Sequence, residues 1–200
     1  MITTPVLVLL ISHFLISERV TGKKMAGIFA GSFGAFLLIG FGKDFSFGSA
    51  TWLGDLFIFV NAASYALYLV LVKPLMAKYH PVTVIKYVFL FGVPLVGMVG
   101  WNDFMDVEWN SFPWQAWASV IYVVIGTTFL AYLLNIFALS KVNPSVVSIY
   151  IYAQPVIATI VAISIGNDQL TLIKIIAAVL IFTGVYLVSI LGPRSPRLED

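Results

Sequence analysis

The groups able to do chemistry inside this sequence are neutral and polar. Asn61 and Tyr65 stand four residues apart, as do Tyr150 and Gln154, so each pair shares one face of a helix. Thr128 and Asn135 punctuate another apolar run. Such side chains can hydrogen-bond an uncharged, zwitterionic or amphipathic solute in an aromatic-lined cavity. The alternative is that they join neighbouring helices, at about 1 kcal/mol or less each. No Asp, Glu, Lys or Arg stands in the middle of any apolar run, which argues against a carboxylate-based proton pump. A retinal protein needs a mid-helix lysine, and Lys174 is at a helix end.

Other chemistries are equally poorly served. With no cysteine there is no thiol nucleophile, disulfide framework or thiolate metal site, and His13 and His80 are too far apart to suggest a metal centre. No Gly-Lys-Ser/Thr phosphate loop couples the chain to ATP. An enzyme embedded in the bilayer would need a nucleophile, an acid–base pair or a metal set, and none is found. The expectation is a non-enzyme without metal or cofactor.

The elements that position these groups are set by composition. Apolar residues make up 60% of the 200 and charged residues 10%, with a mean hydropathy of +1.01. An ordinary soluble domain has roughly 45–50% and about 25%. Such a chain cannot coat a globule with charge, so lipid is its expected solvent and partner; the small-molecule solute is what the mid-span polar groups would bind. A net charge of +2 without a basic run offers nothing to nucleic acid.

Seven apolar runs are expected as helices: residues 2–17, 25–41, 51–72, 82–101, 114–139, 144–165 and 170–191. Gly40-Phe41-Gly42, Lys73-Pro74, His80-Pro81, Asn143-Pro144 and Gly192-Pro193 separate them or end the last. Trp52, Tyr79, Trp101, Trp109, Trp114 and Trp117 near the ends fit interfacial anchors. Alternating the spans puts Arg19, Lys23, Lys24, Lys73, Lys78, Lys86, Lys141, Arg194 and Arg197 on one side, and only Lys43 and Lys174 on the other. That bias predicts a cytoplasmic C-terminus.

A gapless self-match at an offset of 150 organises the rest. Pro5, Thr21, Lys24, Gly34 and Leu37 meet Pro155, Thr171, Lys174, Gly184 and Leu187, while Glu18 meets Asp168. Five helix positions separate the copies, an odd number, so the second copy enters the membrane from the opposite face, as in secondary transporters. Pro5 and Pro155 are expected to bend their helices. Glu18 and Asp168 are expected to cap the helices that follow them, where a negative charge favours the dipole. Gly27, Gly31, Gly34 and Gly184 offer small surfaces for close helix packing. The stretch from Pro5 to Ser17 covers only about 20 Å at roughly 1.5 Å per residue, so it reads as the back half of a span. The comparison of copies implies that about 100 residues, three helices and half of a fourth, precede it in a complete protein.

These residues resemble a known family. Pro5, the Ser17–Thr21 turn, the Gly27/Gly31/Gly34 helix, Gln154-Pro155, the Gly166–Thr171 turn and the Gly184-Val185-Tyr186-Leu187 helix are similar to the ends of EamA domains. EamA domains belong to the drug/metabolite transporter superfamily. The resemblance implies an all-α polytopic transmembrane bundle, with about seven helices here from a ten-helix architecture of two inverted five-helix repeats. Residues 1–41 would be the last two helices of a truncated first repeat, 51–191 the complete second repeat, and 192–200 a cytoplasmic tail. It implies a permease or exporter of a bacterial cytoplasmic membrane, working by alternating access, and leaves a homodimer open. A non-transporting remnant or interaction subunit is the competing reading. Asp168 departs from the family's usual Glu.

Overall fold

The computed structural model describes residues 2–40 and 52–190. Phe41, Gly42, Lys43, Thr51, the 192–200 tail and its arginines lie outside them. Among the described residues every regular element is helical, and six stretches are long and apolar enough to cross a membrane. The chain is an all-α, polytopic membrane helix bundle.

Helix α1 (Thr4–Ile16) begins with Pro5 in its first turn, where the missing N–H costs nothing. It is apolar but only 13 residues long. It ends at Ser17 in the left-handed region (φ 54°), and the Glu18 N–H returns to the Ser12 carbonyl at 3.1 Å. Helix α2 (Gly22–Gly40) follows without a long linker.

Helix α3 (Trp52–Leu75) continues through the Lys73-Pro74 pair, which the sequence marks as a breaker. Pro74 stands in its last turn. Helix α4 (Pro81–Met105) has Pro81 at its start and carries Pro94 internally. A 3-10 turn at Trp109–Ser111 leads to α5 (Trp114–Ile121), a π-helical segment (Tyr122–Leu130) and α6 (Ala131–Lys141), which together make one span. The π segment is a departure from the uniform helix expected over residues 114–139. Its i→i+5 bonding widens the helix around Gly126-Thr127-Thr128.

The next span is interrupted as well. It comprises α7 (Pro144–Ile149), a 3-10 turn at Tyr150–Tyr152, and α8 (Ala153–Ser164). Pro155 has no N–H to give the Ile151 carbonyl, and the tightened turn lies immediately ahead of it. Helix α9 (Leu172–Ser189) closes the described chain.

The chain divides into two compact units. The first contains α1, α2, α3 as far as Lys73, and α7 to α9. Its core is Leu9, Ile28, Ala35, Ile149, Tyr152, Val156, Ile181 and Val188. The second, residues 74–141, packs α4 against α6, with Phe89 edge-on to Tyr132 at 5.8 Å between ring centroids.

Candidate functional site

The most extensive packing in the first unit joins α2 to α9, and glycine makes it close. A Cβ on Gly27 would stand 2.8 Å from the Gly184 carbonyl oxygen. One on Gly34 would stand 2.8 Å from the Ala177 oxygen. As the number rises along α2 it falls along α9, so the two helices run antiparallel. Adding 150 to Gly27 gives Ala177, and subtracting 150 from Gly184 gives Gly34. The offset thus carries one contact onto the other, as a two-fold axis crossing the pair would.

Tyr152 joins a second pair of positions at that interval. Its hydroxyl donates to the carbonyl of Ile2, the residue 150 positions earlier, at 2.8 Å. Having spent its only proton, it accepts from Ser32 Oγ at 2.6 Å. Tyr152 is 1% exposed.

The two turns carry the same device. Lys24 Nζ lies 2.6 Å from Glu18 Oε1 and also donates to the Arg19 carbonyl at 3.2 Å. Lys174 Nζ pairs with Asp168 Oδ1 and donates to the Gln169 carbonyl at 2.7 Å. Backbone N–H groups of Lys24 and Lys174 each reach a threonine, Thr21 or Thr171, at 3.4 Å. The helix-capping acceptors are therefore these threonines, while the Glu18 and Asp168 carboxylates engage the lysine one and a half turns on.

The surroundings of the two pairs differ. Lys24 and Glu18 side chains are 1% and 3% exposed, so Lys24 puts its charge into an internal pair instead of facing water on the basic side. Ser145 Oγ, in the first turn of α7, donates to the same Glu18 oxygen, and His13 Nδ1 lies 3.1 Å from the Glu18 carbonyl oxygen. Asp168 and Lys174 are 35% and 22% exposed. The Lys174 ammonium, then the Gln169 N–H at 2.7 Å, hold the Asp168 carboxyl below its ordinary value.

The candidate solute ligands are dispersed over both units. In the first, Asn61, Tyr150 and Gln154 are exposed, and Tyr65 is half-buried and stacked on Tyr68. In the second, Thr128 lies in the π segment and Asn135 on α6, both half-buried. The side chains of Asn61, Thr128, Asn135, Tyr150 and Gln154 make no hydrogen bond to another described residue. Neither of two open depressions, about 600 Å³ at Val107–Ser111 and about 460 Å³ between Met76–Pro81 and Phe137–Lys141, is lined by any of the six. Among the described residues no cluster of His, Asp or Glu has metal-binding geometry.

Sequence reasoning passed over Tyr152, Ser32 and Ser145. Tyr152 was legible in one way: it is the repeat partner of Ile2, and it is the polar residue of that pair.

An all-α bundle of long apolar spans defines a polytopic membrane protein. The chain belongs to the EamA-like transporter family, whose model matches residues 52–190. It is 27% identical to an uncharacterized transporter of Archaeoglobus fulgidus over 86% of this chain and 60% of that protein. It is 24% identical to the uncharacterized transporter YyaM of Bacillus subtilis over 90% of this chain and 59% of the relative. The chain thus spans about 60% of the length of these curated relatives. A solved crystal structure shares the fold, with a TM-score of 0.80 and 22% identity over 96% of this chain and 65% of the other.

Proposed function

We propose that this chain is a secondary transporter of a small metabolite or drug-like solute, working by alternating access between inverted repeats. Residues 1–41 supply the last two helices of the first repeat, 51–191 the second repeat, and 192–200 a cytoplasmic tail. The observation that carries the reading is the exchange of Gly27–Gly184 with Ala177–Gly34 under the 150-residue offset. A bundle built from two halves related in this way has two equivalent arrangements, one open to each face, and a solute held between them is released on either side.

The solute is uncharged, zwitterionic or amphipathic. Asn61, Tyr150 and Gln154 are exposed polar groups within spans, without protein partners among the described residues. Hydrocarbon cannot satisfy such groups, whereas water, a solute or a neighbouring helix can. Tyr65, Thr128 and Asn135 add hydrogen-bonding capacity with no net charge. The basic excess supports a cytoplasmic C-terminus, in a protein we read as belonging to a bacterial inner membrane.

Uptake and efflux screening in cells expressing the chain, with Tyr65→Ala and Tyr150→Ala, tests this directly. Loss of a transported solute in either variant is expected. Unchanged transport in both removes the proposed cavity, and no transport of any solute by the parent favours a remnant or subunit.

A further inference from the structure

Glu18 is buried, yet only one of its carboxylate oxygens is used. Oε1 accepts from both Lys24 and Ser145, while Oε2 is buried without a hydrogen-bond partner. A carboxylate needed only to neutralise Lys24 would not also reach across 127 residues to the first turn of α7. We infer that Glu18 is a positioning residue that ties the α1–α2 turn to the N-terminal end of the α7–α8 span, holding the bundle closed at that end. This deepens the alternating-access reading and rests on it.

The contacts around the helix start support the assignment. Asn143 precedes α7 without a side-chain cap; the Glu18–Ser145 bond is one polar tie at that helix start, and Lys73 Nζ donates to the neighbouring Val142 carbonyl at 2.9 Å. Ser145 in turn accepts at its carbonyl from Ser148 Oγ at 3.0 Å, and both serines are fully buried. The counterpart at the other end of the α2–α9 pair, Asp168 with Lys174, is partly exposed and pairs only within its own turn.

The chain has no cysteine, so single introduced cysteines report by themselves. In full-length chain reconstituted in vesicles, Ser148→Cys is labelled with an impermeant maleimide from the face on which Arg19→Cys reacts. Removing the tie with Glu18→Gln, or with Ser145→Ala, which keeps the ion pair and is the milder variant, is expected to raise that labelling at least about fivefold. Labelling of Ile181→Cys in the α2–α9 core is expected to stay unchanged, and Asp168→Asn is expected to leave Ser148→Cys protected. A rise at Ile181→Cys as well means general loosening and overturns the assignment. No rise in either variant, with Gln154→Cys labelled from both faces, overturns it while alternating access stands. Labelling of Gln154→Cys from one face only overturns both.

Discussion

Tyr152 and Ile2 are hydrogen-bonded to each other at 2.8 Å and are 150 residues apart, the same interval that relates Glu18 to Asp168 and Lys24 to Lys174. In the inverted-repeat arrangement proposed above, equivalent residues meet only near the axis that exchanges the repeats. On that reading the Tyr152–Ile2 contact lies near one point of the axis, and the crossing of α2 and α9 near another.

Replacing Tyr152 by Phe keeps the ring and deletes the shared hydroxyl. Ile2 loses its donor and Ser32 its acceptor, both part-buried. A loss of about 1–3 kcal/mol is expected, the cost of leaving buried polar groups unmade. Thermal unfolding in detergent measures it, and a melting temperature equal to the parent's would mean the hydroxyl contributes nothing.

Helix approach at Gly184 admits no side chain. A Cβ there would lie 2.5 Å from the Gly27 oxygen and 2.8 Å from the Gly31 nitrogen, both backbone atoms that cannot rotate away. Gly184→Ala is expected to cost about 1–3 kcal/mol by forcing α2 and α9 apart. Gly92→Ala, in α4 with open space around it, is expected to gain up to about 1 kcal/mol from helix propensity. The difference in melting temperature between the two variants reads this out.

The two lysines of the duplicated turns are expected to respond unequally. Lys24→Met strands the buried Glu18 carboxylate and should cost about 3–5 kcal/mol. Lys174→Met removes a partner from a solvent-facing carboxylate and should lower stability far less. Equal losses would contradict the difference in burial.

Acid titration isolates the exposed turn. Because folding lowers the Asp168 carboxyl below its ordinary 3.8, its contribution is complete above that value. It is lost as pH falls through the lower, folded-state value. The melting temperatures of the parent and Asp168→Asn are therefore expected to converge as pH drops from 5 to 2, and a constant gap would exclude the assignment.

Much of the framework was legible because glycine, proline and turn residues recur at a fixed interval. Gly27, Gly34 and Gly184 announced close helix contact by size alone, and Pro155 announced a disturbed helix. The side-chain network was not legible. Lys24 reads as a charge at the basic end of a span, and only the fold reveals that it pairs with a buried Glu18 that Ser145 also holds. Tyr152 is one aromatic in an apolar run, and its meaning depends on a neighbour 150 residues away. The π segment left no pattern, since its residues are ordinary helix components and nothing in their spacing distinguishes i→i+5 from i→i+4 bonding. The six proposed solute ligands were chosen by polarity, which says where hydrogen bonds are needed but not which groups converge.

Arg19 and Gln169 are equivalent, exposed residues of the two turns, 150 positions apart. Helices α2 and α9 between them are antiparallel and about 27 Å long at 1.5 Å per residue. Labelling of Arg19→Cys and of Gln169→Cys with an impermeant maleimide, in sealed vesicles of known orientation, asks whether the turns lie on opposite faces. Reaction of Arg19→Cys from one face and Gln169→Cys from the other is the predicted result; reaction of both from the same face would contradict the inverted architecture and the transport reading built on it.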